Sequence, residues 1–150
     1  MAETLDEGIV LDDERAPGVA PWHFWAIAAV GMVWNSFGAL DYTMTQLRNP
    51  AWIGQIDPAM LATIEAAPIW ATACWALGVW GSFIGSLLML MRNRHAVSAF
   101  AISFVSAVIS FAWQYSAGLI STPVLPLVIL AAVAFLWWYS ARMRGEGVLR

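Results

Sequence analysis

The sequence contains no lysine and one cysteine, and only 11% of its 150 residues are charged. A soluble domain carries about a quarter charged residues, so this shortage excludes an ordinary water-facing surface. The lone Cys74 excludes an intrachain disulfide and a cysteine zinc site, and within its apolar segment it reads as a small hydrophobe. The basic residues are seven arginines that form no stripe able to neutralise phosphates, which excludes a nucleic-acid partner. There is no HExxH, no nucleotide-binding glycine loop, no GxSxG and no pair of carboxylates within the apolar runs. These absences predict a non-enzyme with no metal and no cofactor. His23 and His95 sit at the ends of apolar runs and read as interfacial residues rather than as haem ligands. No acidic residue occupies the middle of an apolar run, which argues against a proton-coupled exporter of the small four-helix kind.

What remains is apolar. Hydrophobic residues make up 61% of the chain, and ten of the residues are tryptophan. Four runs reach the roughly 20 residues needed to cross a hydrocarbon core: about 22–46, 68–91, 96–120 and 124–141. The expected fold is all-α, an integral membrane four-helix bundle over residues 21–141. Asp57-Pro58 reads as an N-cap followed by a first-turn proline. It predicts a short helix over 59–66 in the loop between the first two runs, with Met60, Leu61 and Ile64 on one face, lying on the membrane surface or capping the bundle. The turn Arg92 to His95 is short enough to make the second and third runs antiparallel neighbours.

Charge placement predicts the orientation. Glu3, Asp6, Glu7, Asp12, Asp13 and Glu14 form an acidic tail over residues 1–20, expected to be solvated and disordered or else to bind a partner. It lacks the positive start of a secretory signal, so the first run is expected to be retained as a span. With four spans, Arg15, Arg92, Arg94, Arg142, Arg144 and Arg150 fall on one side and Arg48 alone on the other. The positive-inside rule then puts both termini in the cytoplasm of a bacterial inner-membrane protein, with 142–150 as a basic cytoplasmic tail.

Association of spans in lipid depends on close packing at small residues. The second run supplies Gly78, Gly81, Ser82 and Gly85, for packing within the bundle or for a homo-oligomer. Ser103, Ser106, Ser110 and Gln114 share one face of the third run, and Gly31, Asn35, Gly38 and Tyr42 one face of the first. Both stripes are expected to face inward, the serine hydroxyls bonding their own backbone. Asn35 lies about 5 Å from the middle of its run, where its amide needs a partner, and Gln114 at comparable depth is the nominated one. Asp41 lies near the edge of the core, where a charge is cheap, with Arg48 the nearest basic candidate. Alternatively, Asn35, Asp41, Tyr42, Gln114 and Tyr115 line a polar pocket that opens outward and hydrogen-bonds a small molecule.

Trp34-Asn35 with Gly38 and Tyr42, the segment AAPIWATACWALGVWGSFIGSLLMLMR from Ala66, and PVLPLVILAAVAFLWWYSARMRGEGVL from Pro123 carry a family likeness. Over about 21–149 the chain resembles small bacterial four-span membrane proteins sometimes labelled sugar transporters. It departs from them at RNRH, Arg92 to His95, where a more lysine-rich turn would be expected. The resemblance implies transport of a sugar-like small solute and brings no substrate-binding motif. The other reading is a non-catalytic structural or accessory subunit of a larger membrane complex.

Overall fold

The structure is a computed structural model and describes residues 18–150; residues 1–17, with the acidic cluster, lie outside the described residues. All regular structure described is helical: α1 (Trp22–Gln46), α2 (Pro50–Ile53), α3 (Pro58–Glu65), α4 (Ile69–Leu90), α5 (Ala96–Ser116) and α6 (Val124–Gly145). Each long helix starts beside proline, at Pro21, Pro68 or Pro123, or after the tight turn ending at His95. Pro126 falls in the first turn of α6, where its missing N–H would have had no helical partner.

Three helices, α4, α5 and α6, are long and apolar enough to cross a membrane. At about 1.5 Å per residue each reaches roughly 30 Å, the thickness of a hydrocarbon core. The chain is therefore a helical membrane protein. Helix α1 has the length, at 25 residues, but Asn35, Ser36, Asp41 and the threonines near its end dilute its apolarity.

The four long helices end in the same way. In each, the residue after the C-cap takes a positive φ, and the two N–H groups beyond the cap bond back to carbonyls of the last turn. Gly118 (φ 75°) does this for α5 and Gly147 (φ 74°) for α6. The cap at Gly118 stops α5 at Ser116 and not near 120, and α6 runs four residues beyond the expected 141 to Gly145. Arg48 (φ 52°) and Arg92 (φ 56°) do the same for α1 and α4 in a conformation that disfavours side chains.

Helix α4 packs most extensively on α5, α1 packs on α4, and α6 on α5. The glycines of α4 explain the first contact. A Cβ on Gly78 would meet Ala107 at 3.5 Å, one on Gly81 would meet Ser103 at 3.1 Å, and one on Gly85 would meet the Phe100 ring at 3.0 Å. The small stripe of α4 is thus occupied within the chain. Ser103 donates to the Gly78 carbonyl of α4 at 2.6 Å, not to its own helix. The face of Ser103, Ser106 and Ser110 is buried, as are Gly31, Asn35 and Ala39 of α1, while Val30, Val33, Phe37 and Leu40 of α1 point outward.

The end of the bundle that holds the described termini is filled. Phe24, Met89, Phe100, Tyr139, Met143, Val148 and Leu149 form one buried cluster there. Residues 146–150 are therefore not a free tail. Arg150 N–H donates to the Arg92 carbonyl at 2.8 Å, and Arg94 N–H donates to the Arg150 carbonyl at 2.9 Å. The Arg92 guanidinium donates to the carbonyls of Val148 and Gly18, which ties both chain ends to the α4–α5 turn. His23 Nδ1 and the Tyr139 hydroxyl lie 2.7 Å apart in a further link across this end.

Candidate functional site

The opposite end is hollow. Between α1, α4, α5 and α6 lies a cavity of about 420 Å³ whose walls include Trp34, Asn35, Asp41, Ser82, Ser110 and Gln114. A second cavity of about 450 Å³ lies above it, bounded by Thr45, the 119–122 turn and the Met60–Ile64 face of α3. Asp41, Trp75, Ser110, Phe111, Gln114 and Ile129 belong to the walls of both. Each compartment falls in the volume range of small-molecule sites, roughly 300–1,000 Å³.

Local sequence builds the cover. Asp57 accepts from the N–H groups of Ala59 (2.9 Å) and Met60 (3.2 Å), and Pro58 opens α3. Asn49-Pro50 repeats the device for the single turn α2, a signal present in the sequence and missed there. The segment is tied to α1 at two points. Arg48 pairs with Glu65 at 2.6 Å, and Trp52 Nε1 donates to Asp41 Oδ1 at 2.9 Å. The partner of Asp41 is therefore an indole and not Arg48, whose guanidinium is held at the far end of α3.

Asn35 and Gln114 do not bond to each other. Asn35 Nδ2 donates to Ser86 Oγ at 2.8 Å and to the Ser82 carbonyl at 3.3 Å, both on α4. Gln114 Nε2 donates to Ser110 Oγ at 2.9 Å, one turn back on its own helix. The reason is the order of the helices: α1 lies on α4, and α5 faces α1 across the cavity. Both amides nevertheless reach the cavity wall.

The two tyrosines stand elsewhere. Tyr42 packs edge-on against Trp75, with ring centroids 5.0 Å apart, and so fixes the orientation of a wall residue without being one. Tyr115 is 65% exposed, since one residue beyond Gln114 is about 100° round the helix. Trp34, named in the sequence only for the family likeness, is also a wall residue, and Trp75, Phe111 and Trp113 are wall residues that sequence reasoning did not single out. With ten tryptophans in the chain, no local pattern marked these.

A separate groove of about 470 Å³ runs along the seam between α1 and α6, the least closely packed side of the bundle. Its walls, among them Val30, Gly31, Ala132 and Phe135, are apolar. No group of three or more potential metal ligands occurs among the described residues. Every buried side-chain nitrogen or oxygen described has a hydrogen-bond partner. The arrangement can thus offer amide and hydroxyl groups, aromatic rings and one carboxylate to a small molecule. Comparison with protein-family models, curated proteins and solved structures finds no match to this chain.

Proposed function

We propose that the protein is a small-solute carrier of the bacterial inner membrane, with four spans and both termini in the cytoplasm. The observation that carries this reading is the asymmetry of the bundle: one end is packed and tied by backbone hydrogen bonds, and the other holds two adjoining pockets whose mainly apolar, aromatic walls carry a few polar groups. A site closed on one side and reached from the other is what one state of a carrier requires. Four spans are supported by α1, which packs along α4 and turns Val30, Val33, Phe37 and Leu40 outward. The orientation is supported by the arginines. Arg92, Arg94, Arg142, Arg144 and Arg150 cluster at the packed end, and Arg48 stands at the hollow end. In this orientation α3 is an interfacial helix on the outer face, with its Met60–Ile64 face over the cavity. The resemblance to proteins labelled sugar transporters favours a small hydroxylated solute.

Vesicles reconstituted with the purified protein alone test this reading. Uptake of a labelled solute from a panel of sugars, polyols and small amines is expected, reduced several-fold by Gln114→Leu, which removes a polar group from both compartments. Vesicles that take up none of the panel would sink the carrier reading. A second reading, an accessory subunit of a larger membrane complex, is favoured by the α1–α6 groove, whose small apolar residues suit a partner helix. It predicts that gentle detergent extraction yields a stable larger assembly and that the isolated chain transports nothing.

A further inference from the structure

We propose that the solute of this cavity is a small organic cation, recognised by Asp41 against the aromatic walls. The inference deepens the carrier reading and rests on it.

Among the described residues, Asp41 is the one ionisable side chain that bounds either compartment, and it belongs to both. No described arginine reaches these walls, and the nearest in sequence, Arg48, is paired with Glu65. The bond that Asp41 accepts comes from the neutral Trp52 indole, and no cation among the described residues pairs with its negative charge. Its second oxygen accepts no hydrogen bond among the described residues. Of the other polar wall groups, the amide nitrogens of Asn35 and Gln114 are engaged, by Ser86 and Ser82 and by Ser110, while their amide oxygens accept no hydrogen bond among the described residues. The groups left open to a solute are therefore one carboxylate and neutral acceptors, a set that suits positive charge.

The remaining walls select the kind of cation. A divalent metal needs several oxygen or nitrogen donors, and a single carboxylate does not supply them. Trp34, Trp75, Phe111 and Trp113 instead bring electron-rich rings to the walls, and the faces of such rings attract ammonium and quaternary ammonium groups. Asp41 is itself solvent-exposed, so a cation reaches it directly, and the ring attraction adds to an ion pair that water partly screens. A compact cation with an aliphatic, hydroxylated or aromatic body meets all of these conditions.

The test compares choline with 3,3-dimethyl-1-butanol, its neutral isostere in shape, binding to the full-length protein in detergent micelles. Choline is expected to bind about tenfold or more tighter, and Asp41→Asn to abolish this preference while leaving the isostere unaffected. Trp52→Phe removes the indole hydrogen bond to Asp41 but keeps the carboxylate, so the preference must survive it. Equal binding of choline and isostere to the native protein overturns the proposal, as does a preference that survives Asp41→Asn. Loss of the preference in Trp52→Phe also overturns it, because Asp41 would then act only by holding the α2–α3 segment. If sugars or polyols bind and choline does not, the cation assignment fails and the carrier reading stands. If solutes of neither class bind or cross, both fail.

Discussion

Asn35 illustrates how a single polar residue is accommodated at depth. Its amide sits 5% exposed in an apolar helix and would be costly alone, yet two acceptors on α4 receive it. Asn35→Leu should lower stability by about 1 kcal/mol in detergent unfolding, within the range of interhelical hydrogen bonds in membranes. The effect is modest because Ser86 can turn its hydroxyl back to its own helix. An unchanged unfolding midpoint would show that the bond contributes nothing. Arg92 gives a sharper comparison. Its positive φ disfavours any side chain, whereas its guanidinium holds Gly18 and Val148. Arg92→Gly and Arg92→Ala lose the same bonds, but only alanine retains the strain. The alanine variant should therefore be less stable than the glycine variant by about 1–2 kcal/mol, measured by the same unfolding assay. Equal stabilities would mean that the left-handed cap is not costly here.

Among the elements, the α4–α5 contact is where sequence periodicity translated most directly into packing. The glycine spacing marked one face of α4, and that face meets α5. The individual distances rank the glycines in a way that spacing could not. Gly78 leaves ordinary contact distance to Ala107, so Gly78→Ala should be neutral or stabilising by up to about 1 kcal/mol, through helix propensity. Gly85 faces the fully buried Phe100 ring at 3.0 Å, and Gly85→Ala should lower the melting temperature. Thermal denaturation in detergent would check both, and the reverse ranking would contradict the helix register described. The short helices were legible in part. Asp57-Pro58 announced α3 because the cap is a local interaction, but the bonds that fix it over the cavity, Arg48–Glu65 and Trp52–Asp41, join residues 17 and 11 positions apart across a loop.

The molecule as a whole has two unlike ends, and its sidedness can be measured. In a Cys74→Ser background, cysteines placed at Glu65 and Glu146 lie at opposite ends of the bundle, and both positions are exposed. An impermeant thiol reagent added to intact cells should label position 65 and leave position 146 until the membrane is opened. Labelling of position 146 in intact cells would reverse the proposed orientation. Labelling of both would break the four-span topology.

Sequence alone determined what depends on composition and on short-range spacing. A chain poor in charge, with long apolar runs and a proline or a tight turn before each, must form helices that satisfy their own backbone in an apolar medium. Helix register followed, because residues three and four apart share a face whatever the surroundings. Pairing across helices was a tertiary decision. Asn35 found Ser86 and not Gln114 because α1 settled on α4, and depth along a run carries no information about which neighbour stands beside it. The docking of Val148 to Arg150 on the Arg92 turn, and the cavity left at the other end, were likewise decided by how the four long helices fill one end and leave space at the other. Close packing rewards contact wherever side-chain volumes match, and that match exists only once the helices are side by side.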